Sequence, residues 1–101
     1  MPIDSLTKSV QRFMNNQQAD SLYNLMGEGL RGRINAEQIQ EFSGDLVGQL
    51  GRWVSFKQTG TMNGLTRYEA VFPLGTLNFF ISQDAVGKIA QFSFMPPEEE
   101  Q

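Results

Sequence analysis

The sequence predicts an α+β fold: three N-terminal helices packed on one face of a curved, four-stranded antiparallel meander. Two observations carry this reading. Apolar residues recur at helical spacing in the first half of the chain, and from Arg52 to Met95 they alternate with polar ones. Short breaks containing Gly, Asn or Pro divide that second half into four runs. With 101 residues, 40% of them hydrophobic, there is material for a single modest core. One domain is expected over residues 1–95. The remainder, PPEEEQ at 96–101, reads as a solvated acidic tail or the start of a linker, since proline stops a strand and adjacent carboxylates repel.

The first helix is expected from Asp4 to Asn16, with Leu6, Val10, Phe13 and Met14 on its apolar face and Asp4 or Ser5 as cap. After the polar break NNQQ, Asp20 can cap a shorter helix carrying Leu22, Tyr23, Leu25 and Met26, which Gly27 ends. The glycines of EGLRGR then predict an irregular crossing with Leu30 turned inward. Asn35, with Gln38 three residues on, has the spacing of a capping box and opens the third helix. Its inward stripe reads Ile39, Phe42, Leu46, Val47 and Leu50, and Gly51 stops it. Gly44 and Gly48 lie inside that helix. Either another backbone comes close there or the face is open to solvent.

Strand register follows from period two. Val54 and Phe56, then Tyr68, Ala70 and Phe72, then Leu77, Phe79 and Ile81, then Ala90, Phe92 and Phe94 each share one face of their run. These sets must meet, because a slip of one residue would turn every apolar side chain to the other side. A three-residue loop Met62-Asn63-Gly64 sets Phe56 against Ala70. A two-residue loop Leu74-Gly75 sets Ala70 against Phe79, and a loop from Gln83 to Lys88, with Gly87 at positive φ, sets Phe79 against Phe92. Burying each large apolar side chain is worth about 1.5–3 kcal/mol, so the N-terminal helices must cover this face. The same register puts Trp53, Val71, Phe80, Ile89 and Met95 on the opposite face, among Thr76, Asn78, Gln91 and Ser93. A face so mixed suits a protein contact, with Phe80 and Trp53 as anchors.

Composition narrows the chemistry. There is no Cys and no His, hence no disulfide framework, thiolate or imidazole. The net charge of -3 is that of Glu98, Glu99 and Glu100, so the body is balanced and unsuited to nucleic acid. No apolar run reaches membrane-spanning length, no signal-peptide pattern appears, and no cofactor motif is present. Ser5-Leu6-Thr7-Lys8 has the S-x-x-K spacing of serine hydrolases but lacks the S-D-N and K-T-G partners, and a serine at the start of a helix is expected as a cap. Glu37, Glu41 and Asp45 share a helix face turned away from the apolar stripe, and offer neither an acid-base dyad nor a metal site. Tyr68 is a polar-tipped aromatic on the apolar sheet face. It is the candidate to line a ligand cavity, with Tyr23 or Gln58.

The run Tyr68-Glu69-Ala70-Val71-Phe72, then Gly75-Thr76-Leu77-Asn78-Phe79-Phe80-Ile81-Ser82 and Asp84-Ala85-Val86-Gly87-Lys88-Ile89, is similar to a bacterial domain family of unknown function. That family has the cystatin-like, nuclear-transport-factor-like fold. Phe13, Leu25 and Phe42 on the helices extend the resemblance over nearly the whole chain. Such domains often stand beside serine-hydrolase domains of the β-lactamase type in exported proteins. The resemblance therefore implies an accessory domain with an adjoining hydrolase, and it brings no catalytic residues. An exported parent would place the domain outside the cytoplasm, and a chain complete as it stands would be cytoplasmic. Three expectations follow: a non-catalytic accessory domain making a protein, domain or homodimer contact through the outer sheet face; a small or peptide-like ligand in the hollow between helices and sheet; and, as the rival, a small isomerase or hydrolase using Tyr68 with a carboxylate.

Overall fold

The computed structural model describes residues 2–97, and the glutamates of the expected tail lie outside them. Helices α1 (Ile3–Asn15), α2 (Ala19–Asn24), α3 (Glu28–Arg31) and α4 (Ala36–Leu50) precede strands β1 (Ser55–Met62), β2 (Leu65–Phe72), β3 (Gly75–Gln83) and β4 (Ile89–Met95). The strands form one antiparallel sheet in sequence order. Leu6, Val10 and Met14 of α1, Leu22 and Met26 around α2, and Ile39 of α4 pack on Tyr68, Ala70, Phe72, Phe79 and Ile81, so the helices cover the expected sheet face.

There are four helices among the described residues, where the sequence predicts three. The additional one is the single turn of α3 in the glycine-rich crossing. Few backbone bonds have to form in so short a turn, and it is held from outside: Arg31 Nε donates to the Met26 carbonyl at 2.9 Å and the Gly27 N–H to Ile89 at 2.9 Å. The capping box opens α4 as predicted, with Asn35 Oδ1 accepting from the Gln38 N–H and Gln38 Oε1 from the Asn35 N–H. Asp4, Ser5 and Asp20 lie in first turns instead of at caps, and none makes a capping bond there. The buried line of α4 runs through Ile39 and Ser43, which leaves Phe42 at its margin, 38% exposed.

The first turn is one residue shorter than predicted, and the second keeps its two residues but begins one position earlier. Asn63 and Gly64, both at positive φ, form a two-residue hairpin loop of the kind that Asn-Gly favours. The residue so released appears as a bulge between Gln58 and Gly60, and Phe56 still faces Ala70. Pro73 and Leu74 make the next turn, so Ala70 faces Leu77 and Tyr68 faces Phe79. Likewise Phe79 faces Phe94 and Ile81 faces Phe92. Each of these pairings is displaced by two residues from expectation, and a displacement of two keeps the faces.

Parity fails at two places, and both correct the outer-face assignment. Trp53 precedes β1 and is 1% exposed in the core, while Val54, expected inside, is 61% exposed. The indole buries far more apolar surface than a valine could. Its irregular backbone is satisfied by α1: the Trp53 carbonyl accepts from Gln11 Nε2 and Asn15 Nδ2, and its N–H donates to Asn15 Oδ1. Ile89 is also in the core, because a bulge where Ser82 and Gln83 face Gln91 and Ile89 reverses the side of the residue before it. Val71, Phe80 and Met95 do lie on the outer face, with Phe80 between Arg67 and Ser93.

Two measurements check this arrangement. Trp53 is the single tryptophan, so its fluorescence should be blue-shifted and resist acrylamide quenching in the native protein; easy quenching would return it to the surface. A Cβ on Gly48 would meet nothing within 4 Å, so no close backbone approach requires this glycine. Gly48→Ala should therefore raise the unfolding free energy by about 0.5–1 kcal/mol in urea titrations.

Candidate functional site

The hollow expected between helices and sheet is filled by aromatic rings. Trp53 stands with ring centroids 5.2 Å from Phe79, 5.3 Å from Phe94, 5.9 Å from Phe72 and 6.0 Å from Phe56. Tyr68 closes the row beside Phe56 and is 1% exposed. Its hydroxyl donates to Asp4 Oδ1, so the carboxylate that an acid-base reading needs is present but the opening is not. Burial pushes the Tyr68 hydroxyl up from 10.0 to about 12, and the bond to Asp4 and its negative charge act in the same sense. Such a phenol keeps its proton through the neutral range. Tyr23 lies elsewhere, half-buried with the Arg31 guanidinium 5.7 Å from its ring centroid, and Gln58 is exposed opposite Tyr68.

The apolar opening lies instead along β4, the last strand of the sheet. A groove of about 260 Å³ is lined by Leu30, Ile34, Phe42, Phe92, Ser93 and Phe94. Its position follows from the helix phase described above: Phe42 sits at the margin of α4 and meets Phe94 at 5.6 Å between centroids, without sealing the space. Ser93 belongs to the outward row, so the groove reaches round the strand edge. The first residue of β4 is tied to the helical layer, with the Ile89 N–H donating to Leu25 and its carbonyl accepting from Gly27, both at 2.9 Å. Among the described residues no other segment bonds the outer edge of β4 beyond Ile89.

The two sheet edges differ in chemistry. β1 carries Lys57 and a bulge, two devices that discourage a strand from adding there. β4 reads IAQFSFM, with no charge. That contrast was present in the sequence, but which strands are edges follows only from the topology.

Of the other residues considered above, Ser5 and Lys8 are exposed on α1, and Glu37, Glu41 and Asp45 are exposed on α4. Among the described residues no group of three or more acidic side chains could hold a metal ion, and no helix is long and apolar enough to cross a membrane. Comparison with family models, curated proteins and solved structures returns no match to this chain.

The Tyr68 shift has a consequence for stability. The folded state holds this proton more tightly than the unfolded chain does, so its contribution is complete below pH 10 and is lost as pH rises toward 12. Thermal midpoints should fall across that window, and less steeply for Tyr68→Phe. Phenolate absorbance should show one of the two tyrosines ionising only near the upper end.

Proposed function

We propose that this chain is a non-catalytic accessory domain that holds an extended, uncharged segment of a protein partner along β4, with apolar side chains of that segment in the groove beneath. The carrying observation is the unprotected edge beside an apolar groove. Strand addition of this kind draws affinity from main-chain hydrogen bonds and specificity from the pockets that receive alternate side chains. An incoming strand would take up the N–H and C=O groups of β4 that no other segment among the described residues bonds, and its inward residues would cover Phe42 and Phe94. The absence of charge on β4 and in the groove lining favours a segment equally free of charge.

This reading moves the contact from the outer face to the edge, because Trp53 is in the core and Phe80 is only 6% exposed. The cystatin-like, nuclear-transport-factor-like assignment belongs to the same proposal, supported by the order of helices and then an antiparallel meander. So does a hydrolase domain as neighbour, which the resemblance of the Tyr68–Ile89 stretch suggests; a strand from such a neighbour is one source of the segment.

Selection of displayed peptides against the full chain tests this. Enriched peptides should alternate apolar residues, should slow amide exchange in Ala90–Met95, and should bind about tenfold or more weakly to Phe42→Asp and to Gln91→Lys. The second substitution restores an edge charge. Peptides that protect β1 or the outer face would refute the proposal. Light scattering on wild type and Gln91→Lys separates a second copy from a foreign segment: only a self-associating edge gives a dimer that the lysine dissolves.

A further inference from the structure

The outer face of the sheet holds a cavity of about 170 Å³ lined by Met62, Arg67, Asn78, Phe80, Met95 and Pro96. We infer that it is a binding site for a carboxylate with a small apolar body, separate from the β4 groove. Three observations converge on it.

The first is the floor. Phe80 points away from the core and stands outside the core cluster, yet it is 6% exposed. An aromatic ring walled in on the far side of a sheet, with space left above it, is a platform for another apolar group. The volume is below the roughly 300 Å³ at which ligand pockets usually begin, which limits the occupant to about one ring with a short arm.

The second is a guanidinium held in place from behind. Arg67 Nε donates to Thr59 Oγ1 at 2.9 Å, and that hydroxyl donates to the Arg67 carbonyl at 3.3 Å. Thr59 is the residue that the β1 bulge adds, so the irregularity of the strand supplies the clip. Bound through Nε, the guanidinium keeps its two Nη groups, which are the donors a carboxylate accepts from. Among the described residues Arg67 has no ion-pair partner.

The third is Asn78, one strand over, whose side-chain amide lines the same cavity and makes no hydrogen bond among the described residues. Guanidinium and amide thus face one small space with an aromatic base. A neutral apolar guest would leave both groups unmatched, and a cation would be repelled by Arg67. Glu69 faces Asn78 on the same side of the sheet and opposes an anion, but it is exposed to solvent, where its field is screened.

Phenylacetate is the probe, added to the ¹⁵N-labelled full chain, with phenylacetamide as the neutral counterpart. Phenylacetate should shift the Arg67 Nε–H, the Asn78 side-chain amide and the Phe80 and Met95 backbone amides, saturably and more tightly than phenylacetamide. Arg67→Gln should weaken it about tenfold or more, the loss expected for a charge-assisted pair. Thr59→Val, which frees the guanidinium from its clip, should weaken it less. Equal binding of the two probes, shifts confined to other basic residues, or unchanged affinity in a folded Arg67→Gln would each overturn the inference. Should Arg67→Gln fail to fold, the two probes on wild type still decide. A last arm replaces Glu98, Glu99 and Glu100 with Gln. Unchanged affinity supports a free ligand, and tighter binding overturns it in favour of the chain's own carboxylates.

Discussion

The burial of Trp53 is the interaction on which the rest of this structure depends. Its ring contacts join β1 to β4 through the core, and aromatic pairs of this geometry add about 0.5–1.5 kcal/mol each beyond the apolar area they bury. Its backbone is held by Gln11 and Asn15 of α1, so one residue fixes the first helix against the start of the sheet. The indole N–H donates to the Ser55 carbonyl at 2.8 Å, which leaves no polar cost to the burial. The indole and the rings around it occupy the middle of the helix–sheet layer, and the openings described above lie at its margins.

Those margins are set by small departures from regular pairing. The bulge in β1 removes one edge from competition and positions Thr59 against Arg67. The bulge opposite Ser82 turns Ile89 inward and lets the helical layer occupy the first residue of the β4 edge. Beyond that point no other segment among the described residues bonds the edge of β4. The phase of α4 then decides whether the space beneath is sealed, and with Ile39 and Ser43 at the centre it is not.

Much of the architecture was legible in the residues. Alternation in the four runs gave the correct sheet face for Tyr68, Ala70, Phe79, Phe92 and Phe94, because a displacement of two residues in a turn leaves sides unchanged. Asn35 and Gln38 marked the start of α4, since capping is a local property. The candidate site was much less legible. Trp53 and Ile89 were misplaced because each sits where the strand period breaks, and Phe42 because the unbroken helix α4 turns Ile39 and Ser43 to the core and leaves Phe42 at the margin.

The sequence by itself determined which elements form and which side of each strand is apolar, because these depend on periodicity and on neighbours a few residues away. Only the tertiary structure decided that the central hollow is filled, that β4 is an edge strand, and that Arg67 and Asn78 meet over Phe80. Those outcomes depend on how segments tens of residues apart share a limited volume. No local pattern records that competition.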